Sequence, residues 1–230
     1  MNVLDKIKGG LIVSCQALEG EPLHSSFIMA QMAKAAMLGG AAGIRANSVQ
    51  DIIEIKKIVD LPVIGIIKID YKDSPVYITP SMTEVDALVK CGCEIIAADA
   101  TNRQRPDGET LETFFAKARK KYPEQLFMAD CASYDEGMNA AKIGFDLTGT
   151  TLCGYTEYSK NGITPDFDMM SALVKNSGKP VIAEGNIWTA EQLQLVINCG
   201  VHAAVIGSAI TRPMLITRRF VDVMKGARKK

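Results

Sequence analysis

Short apolar segments rich in β-branched residues recur along the chain and alternate with segments whose apolar residues follow helical spacing. Most of the apolar segments are almost continuously hydrophobic, as expected for parallel strands that are covered on both faces. The pattern predicts eight strands separated by helices. The predicted strands span residues 11–17, 42–46, 63–68, 94–100, 126–131, 146–152, 181–186 and 202–208.

Three of the intervening segments carry clear helix signals. Residues 51–59 place Ile52, Ile55 and Val59 on one face of a helix. Residues 83–90 and 189–197 begin with Thr83 and Thr189, which are suited to N-capping, and each has an acidic residue in the first turn. We therefore predict that these segments are helices that cover the strands.

A coarse repeat runs through the chain. Four predicted helices end on a glycine just before a strand, at Gly40, Gly92, Gly144 and Gly200, which are 52, 52 and 56 residues apart. A glycine past the end of a helix adopts the left-handed conformation that terminates it. One period covers two strand–helix units, so four periods give eight. This favours an α/β fold of the closed (β/α)₈ TIM-barrel type, formed by a single domain over residues 1–230.

A doubly wound open sheet is the alternative fold. Such a sheet usually has fewer strands and a glycine-rich turn after its first strand. Here the first strand is followed by LEGEPLHSS, which contains no GxGxxG motif, so the barrel is preferred.

Composition and charge narrow the range of partners. The 230 residues include 26 basic and 26 acidic residues, so the net charge gives no reason to expect nucleic acid or an anionic membrane as partner. No apolar stretch is long enough for a membrane span. The six cysteines are scattered without a CxxC pair and there are two histidines, which favours reduced thiols and offers little material for a metal site. We expect a cytoplasmic protein without a membrane partner, a nucleic-acid partner or a metal.

Polar residues gather at the carboxyl ends of the predicted strands, whereas the strand starts are apolar or proline. In a (β/α)₈ barrel these ends form the mouth, where active sites lie. A charged mouth above an apolar base is what a barrel enzyme needs. The residues concerned are Ser14, Gln16, Arg45, Lys68, Asp99, Asp130, Thr150, Thr151, Glu184 and Ser208.

Two charges end otherwise apolar strands. Lys68 shares a strand face with Ile64 and Ile66, and Glu184 shares one with Ile182, because side chains alternate faces along a strand. If the isoleucines fill the barrel, both charges point inward at its rim. Strands three and seven lie opposite each other in a ring of eight, so the two charges face each other across the mouth. They are either a structural ion pair or an acid–base pair, and their place at the mouth favours chemistry.

The segment VIGSAITRP, residues 205–213, has the features of a phosphate site. Gly207 and Ser208 let backbone N–H groups approach an anion at the start of a helix. The loops after strands seven and eight are the usual phosphate site of this fold. Gly185 supplies the part from strand seven, and Arg212 adds a charged contact.

Several longer motifs resemble one known family. They are LIVSCQALEGEPLHSSFIMAQMAKAAMLGGAAGIRA, PVIGIIK with the later YITP, GYTEYSK, and VIAEGNI followed by AVIGSAITRP. From residue 11 to residue 220 the chain is similar to the N-acetylmannosamine-6-phosphate 2-epimerase family. The resemblance implies a barrel of the ribulose-phosphate-binding type, a homodimer, and interconversion of N-acetylmannosamine 6-phosphate and N-acetylglucosamine 6-phosphate in bacterial sialic acid breakdown. It also implies that no metal or nucleotide cofactor is needed.

The resemblance also implies roles for individual residues. Asn186 stands where arginine is common in the family, next to the predicted phosphate site. Residues 154–160, GYTEYSK, open the long loop after strand six and are either a lid or a solvated connection. The family's catalytic pair corresponds to Lys68 and Glu184, its substrate-binding residues to Gln16, Arg45, Asp130 and Arg212, and its phosphate-binding residues to Gly185, Gly207 and Ser208.

The chemistry of the implied reaction agrees with these residue types. Epimerisation at C2 removes a proton from carbon and returns one on the other face, and that proton is acidic only when C1 is an aldehyde in the open-chain sugar. Lys68 and Glu184 suit the acid–base pair, and Arg45 or Lys68 suits stabilisation of the enolate oxygen. Apolar surroundings lower the pKa of Lys68 whereas Glu184 raises it, and the sequence leaves the balance open.

Two rival functions remain at the level of the sequence. One is a Schiff-base aldolase in which Lys68 attacks the carbonyl of a phosphorylated sugar. The other is a barrel that binds a sugar phosphate without catalysis. A covalent adduct trapped by borohydride identifies the first, and binding without exchange of the C2 proton identifies the second.

Overall fold

The computed structural model describes residues 2–160, 162 and 164–227. Eight parallel strands form one closed barrel, in which each strand is hydrogen-bonded to the next and β8 to β1. The predicted (β/α)₈ barrel is therefore confirmed, and the open-sheet alternative is wrong. That residues 1–230 form a single domain stays a prediction. The strands are β1 Leu11–Cys15, β2 Gly43–Asn47, β3 Val63–Ile66, β4 Ile95–Asp99, β5 Leu126–Asp130, β6 Leu147–Gly149, β7 Val181–Glu184 and β8 Ala203–Ile206.

Helices connect successive strands and cover the outside of the barrel. None of the helices in the described ranges is both long and apolar enough to cross a membrane. The helices are α1 Val3–Ile7, α2 Ser26–Leu38, α3 Val49–Lys56, α4 Met82–Cys91, α5 Leu111–Lys121, α6 Tyr134–Ile143, α7 Phe167–Asn176, α8 Ala190–Asn198, α9 Ser208–Thr211 and α10 Pro213–Ala227.

The interior of the barrel is filled by large apolar side chains. Ile64, Ile66 and Ile182 belong to one buried cluster, as the alternation along β3 and β7 predicts. Ile7 of α1 joins the same cluster, and the ring of His202, just before β8, is bonded to the Leu4 carbonyl of that helix. The amino-terminal end of the barrel is thus closed by α1, so the open mouth lies at the carboxyl ends of the strands.

The glycine repeat has the conformation that the sequence predicts. Gly40, Gly92, Gly144 and Gly200 have φ values of 92°, 74°, 109° and 79°. All four lie in the left-handed region that favours glycine. Each follows a helix and precedes a strand, so the repeat marks alternate helix ends around the barrel.

The two predicted N-caps have different outcomes. Thr189 caps α8, since its hydroxyl accepts from the Gln192 backbone N–H at 3.2 Å. Thr83 is not a cap, because α4 begins earlier and Ser81 takes that position. The Ser81 backbone N–H donates to the Glu84 carboxylate at 2.9 Å, which completes a capping box that a lone threonine cannot form.

Candidate active site

A cavity of about 380 Å³ opens at the carboxyl ends of the strands. Eight of the nine site residues predicted from the sequence line it, and Asp130 is the exception. Those on its wall are Gln16, Arg45, Lys68, Glu184, Gly185, Gly207, Ser208 and Arg212. Residues far apart in the sequence are therefore brought to one site by closure of the barrel.

Arg45 and Asp130 form the buried base of this site. The Asp130 side chain is 0% exposed and lies off the cavity wall, so the predicted direct contact between Asp130 and substrate has no support in this geometry. Its carboxylate accepts from Arg45 Nη2 at 2.6 Å and from Nη1 at 3.2 Å. Burial alone would lower the pKa of the Arg45 guanidinium, but Asp130 and Glu184 hold that pKa above its usual value. Asp130 thus fixes a permanent positive charge at the cavity wall.

Lys68 lies two residues beyond the last residue of β3. Its backbone stays extended, because it pairs with Ile78 in an isolated antiparallel bridge and its N–H donates to Asn47 Oδ1 at 2.8 Å. Burial, with Arg45 and Arg212 nearby, lowers the pKa of Lys68 to about 8, against the opposing effect of Glu184. Desolvation therefore lowers the pKa of Lys68 more than the neighbouring carboxylate raises it. The sequence alone left this balance open.

Glu184 is the last residue of β7 and faces Lys68 across the same cavity. The Thr150 hydroxyl holds its backbone, at 2.8 Å from the carbonyl oxygen and 3.1 Å from the nitrogen. Burial raises the pKa of Glu184 to about 7, Arg45 opposes the rise and Asp130 adds to it. The ion partner of Glu184 is Arg45, whose Nη1 lies 3.0 Å from Oε2. In the described part of the chain Lys68 and Glu184 form no direct ion pair. The geometry therefore does not support the interpretation that these two residues are a structural ion pair.

Small residues and one arginine line the α9 end of the cavity, next to the start of that helix. Gly207 is the N-cap of α9 and approaches β1 so closely that an added Cβ would lie 3.2 Å from the Cβ of Ser14. Gly185 has a φ of 112°, which favours glycine. Arg212 follows α9 and pairs with Glu21 at 3.1 Å. This end combines close backbone approach with a positive charge, as an anion requires.

Asn186 adopts a conformation that suits its residue type. Its φ is 55°, and asparagine tolerates the left-handed region better than most residues. Its side chain donates to Thr164 Oγ1 at 3.2 Å, which directs it towards the loop after β6.

Several cavity-lining residues were not among the predicted site residues. Tyr77, Tyr155 and Trp188 come from loops beyond the strand ends, where periodicity gives no signal. Thr151 follows β6, and the sequence identifies it only as a polar residue at a strand end. Of residues 154–160, Tyr155 lines the cavity, and whether the segment is a lid or a solvated connection stays a prediction. Among the described residues, no group of three or more histidine, cysteine or acidic side chains is placed to hold a metal ion.

Comparison with known proteins places the chain in one family. Residues 29–226 match the family described as "Putative N-acetylmannosamine-6-phosphate epimerase". A relative from Clostridioides difficile strain 630, named "Putative N-acetylmannosamine-6-phosphate 2-epimerase", is 57% identical over 226 residues, which cover 97% of this chain and 99% of the relative. A relative of the same name from Caldanaerobacter subterraneus subsp. tengcongensis is 52% identical and covers 99% of this chain and 96% of its own length.

Solved structures agree with this assignment. The N-acetylmannosamine-6-phosphate 2-epimerase from Clostridium perfringens superposes with a TM-score of 0.92 at 52% identity, covering 97% of this chain and 96% of that one. Thiamine phosphate pyrophosphorylase from Pyrococcus furiosus, with a TM-score of 0.64 at 16% identity, shares the fold alone. The sequence, the barrel and these likenesses together show that the chain belongs to the N-acetylmannosamine-6-phosphate epimerase family.

Proposed function

We propose that the chain is a carbohydrate epimerase that interconverts N-acetylmannosamine 6-phosphate and N-acetylglucosamine 6-phosphate. The reaction removes the C2 proton of the ring-opened sugar and returns a proton on the other face, without a cofactor, in the cytoplasmic breakdown of sialic acid. One observation carries the proposal. Lys68 and Glu184 line the same cavity, and their pKa values are moved towards neutrality from opposite directions.

The proton count of this pair supports a reversible exchange at C2. With a pKa of about 7 for Glu184 and about 8 for Lys68, the pair holds a single proton between these values. That proton sits either on Lys68, leaving a glutamate base, or on Glu184, leaving an amine base. Abstraction by one residue and donation by the other converts one state into the other, so each product leaves the pair ready for the reverse reaction.

Arg45 supplies the charge that the intermediate needs. Loss of the C2 proton from an aldehyde gives an enolate, whose oxygen carries developing negative charge. The Arg45 guanidinium is on the cavity wall, stays charged and is held in place by Asp130. A cation fixed in a water-poor site stabilises such an oxygen strongly, and protonated Lys68 serves as the second candidate.

The α9 end of the cavity suits the phosphate group. Backbone N–H groups near Gly185, Gly207 and Ser208 and the side chain of Arg212 are the proposed contacts. A phosphate held there leaves the rest of an open-chain sugar to extend towards Lys68 and Glu184. Gln16 lines the wall with its Oε1 buried and without a partner among the described residues, which fits a donor on the substrate.

Proton exchange at C2 tests this function directly. N-acetylmannosamine 6-phosphate incubated with the protein in heavy water should lose its C2 proton signal and yield N-acetylglucosamine 6-phosphate, followed by ¹H NMR. Lys68→Ala and Glu184→Gln should each slow turnover by about 10²–10⁴-fold, the usual loss when a general acid or base is removed. Lys72→Ala and Glu191→Gln are matched controls because both side chains are exposed. These variants should catalyse exchange of the C2 proton at the normal rate. Near-normal turnover of both active-site variants would contradict the mechanism.

The same samples separate the rival functions. A Schiff-base aldolase gives a reduced adduct at Lys68 after borohydride treatment. A non-catalytic barrel binds the sugar phosphate and leaves its C2 proton in place. The epimerase predicts exchange without an adduct.

We further propose that the protein is a homodimer. On α10 Phe220 and the two apolar residues one turn later are exposed, with Phe220 and Val223 at 71% and Met224 at 60%. A second copy of the chain would cover this face.

A further inference from the structure

The Thr151 hydroxyl lies between two acidic side chains at the base of the cavity. Its Oγ1 is 2.6 Å from Asp130 Oδ1 and 3.2 Å from Glu184 Oε2. A hydroxyl carries one proton, so it donates to only one of these groups at a time. The recipient of that proton determines how Thr151 acts on Glu184.

The Thr151 hydroxyl donates its proton in a hydrogen bond to Asp130. The Asp130 side chain is 0% exposed, so protein donors must satisfy its oxygens. Arg45 supplies two of them, and Thr151 supplies the third through the shorter of its two contacts. Turning the hydroxyl towards Glu184 would remove the shorter of the two hydrogen bonds to Asp130 Oδ1 and leave this buried oxygen with Arg45 Nη1 at 3.2 Å, which is costly.

Because the Thr151 hydroxyl donates its proton to Asp130, only the lone pairs of its Oγ1 face Glu184. An ionised Glu184 then places a negative oxygen 3.2 Å from those lone pairs and gains no hydrogen bond from Thr151. A protonated Glu184 can donate from Oε2 to Oγ1, which completes a chain from Glu184 through Thr151 to Asp130. The Thr151 contact therefore favours the acid form of Glu184, whereas Arg45 Nη1, which lies 3.0 Å from the same Oε2, favours the anion.

We infer that Thr151 is a positioning residue that accepts a hydrogen bond from protonated Glu184 and thereby favours the acid form of this residue. Thr151 exchanges no atom with the substrate and keeps its own proton throughout. Its effect is on the balance between the two one-proton states of the Lys68–Glu184 pair. Its importance for turnover rests on the proposed function, whereas its effect on Glu184 does not.

A titration without substrate tests the inference separately from the activity. In protein carrying ¹³C-labelled glutamate carboxyl groups, the Glu184 signal is identified by its absence in Glu184→Gln and followed against pH. In Thr151→Val the pKa of Glu184 should fall by about one unit, the size expected when one hydrogen bond to a single protonation state is lost. Thr151→Ser, which keeps the hydroxyl, should restore the titration of the unaltered chain. If the epimerase is active, the acidic limb of its pH profile should move by the same amount.

Thr150→Val is the matched control. The Thr150 hydroxyl contacts only the backbone of Glu184, so its loss should leave the pKa of the carboxyl in place. A pKa that rises in Thr151→Val would mean that the hydroxyl donates to ionised Glu184, and an unmoved pKa would mean a packing role. An equal fall in Thr150→Val would mean general loosening of the site. Each of these three results overturns the inference.

The unaltered chain provides a measurement that does not depend on a variant folding. The Thr151 hydroxyl proton, bonded to a buried carboxylate, should give a downfield ¹H resonance. Because it donates to Asp130 in both protonation states of Glu184, its nuclear Overhauser contacts should stay with Asp130 above and below pH 7. A proton that turns to Glu184 above that pH overturns the inference.

Discussion

At the residue scale, three charged side chains at the mouth control one another's protonation. Arg45 keeps its charge because two carboxylates surround it, and it opposes the rise in the pKa of Glu184. Arg45 and Arg212 help burial to lower the pKa of Lys68. The result is an amine and a carboxyl whose pKa values are both within reach of neutral pH.

We expect a narrow bell-shaped pH dependence of kcat/KM. Below about pH 7 Glu184 gains a proton and the pair holds two, and above about pH 8 Lys68 loses its proton and the pair holds none. In the proposed mechanism both directions of the reaction need one proton on the pair, so both sugars should show the same two limbs. Initial rates from pH 5 to pH 10 with each sugar measure them. Limbs near the ordinary values of 4.5 and 10.5 would be incompatible with this environment.

Arg212→Ala should affect binding and protonation together. Loss of the proposed phosphate contact should raise KM for the phosphorylated sugar by about 10–100-fold with a smaller change in kcat. Because Arg212 helps to lower the pKa of Lys68, the alkaline limb should also move to higher pH. Steady-state kinetics at several pH values measure both effects.

Glu21→Gln is the control for this variant. It removes the ion partner of Arg212 and keeps the arginine itself, so KM should change little. An Arg212→Ala protein with unchanged KM would argue that the phosphate lies elsewhere.

At the scale of elements, β3 is packed tightly against its covering helix. An added Cβ at Gly65 would lie 2.7 Å from Cys93 Sγ and 3.0 Å from Ile52 Cδ1 of α3. A glycine is needed there because no larger residue fits without movement of a neighbour. The same strand leads to Lys68, so its packing positions a candidate catalytic group.

Gly65→Ala should lower the free energy of unfolding by about 1–3 kcal/mol, the usual effect of overpacking a core. Adding Cys93→Ala removes the nearest atom and should recover part of the loss. Urea denaturation of the two single variants and the double variant measures the coupling. Gly226→Ala is the control, since an added Cβ there has no neighbour within 4 Å. Independent effects of Gly65→Ala and Cys93→Ala would refute the packing argument.

At the scale of the whole molecule, the barrel is closed at one end and carries its charged groups at the other. Apolar side chains and α1 fill the amino-terminal end, and the charged cavity occupies the carboxyl end. Helix α10 carries a further, exposed apolar face. Arg219 of the same helix stacks on the cavity residue Trp188 at 4.3 Å, so a partner that covers α10 would lie near the mouth.

Replacing Phe220 and Val223 with glutamate should convert the proposed dimer to a monomer. Burying two charges against apolar side chains opposes association, whereas the exposed residues tolerate charge in a single chain. Light scattering of the purified proteins gives the mass. Asp222→Lys, on another face of α10, should leave the mass unchanged. An unaltered chain that remains monomeric at all concentrations would contradict the proposal.

The sequence predicted those features that depend on local patterns. The eight strands follow from short apolar runs, and the left-handed glycines at positions 40, 92, 144 and 200 follow from helix ends. The alternation along β3 and β7 placed Lys68 and Glu184 at the mouth, because strand geometry fixes which side chains share a face. Thr83 shows the limit of such signals, since the cap that formed was the one with a capping-box partner.

The sequence by itself determined the barrel, its polar end and eight of the residues on the cavity wall, because periodicity and strand ends are properties of neighbouring residues. Only the tertiary structure decided that Glu184 pairs with Arg45, that Asp130 lies behind the wall, and that burial lowers the pKa of Lys68. It also decided that Thr151 touches two carboxyl groups. These outcomes depend on distances between residues from different strands and on the loss of water around them, and neither exists until the barrel closes.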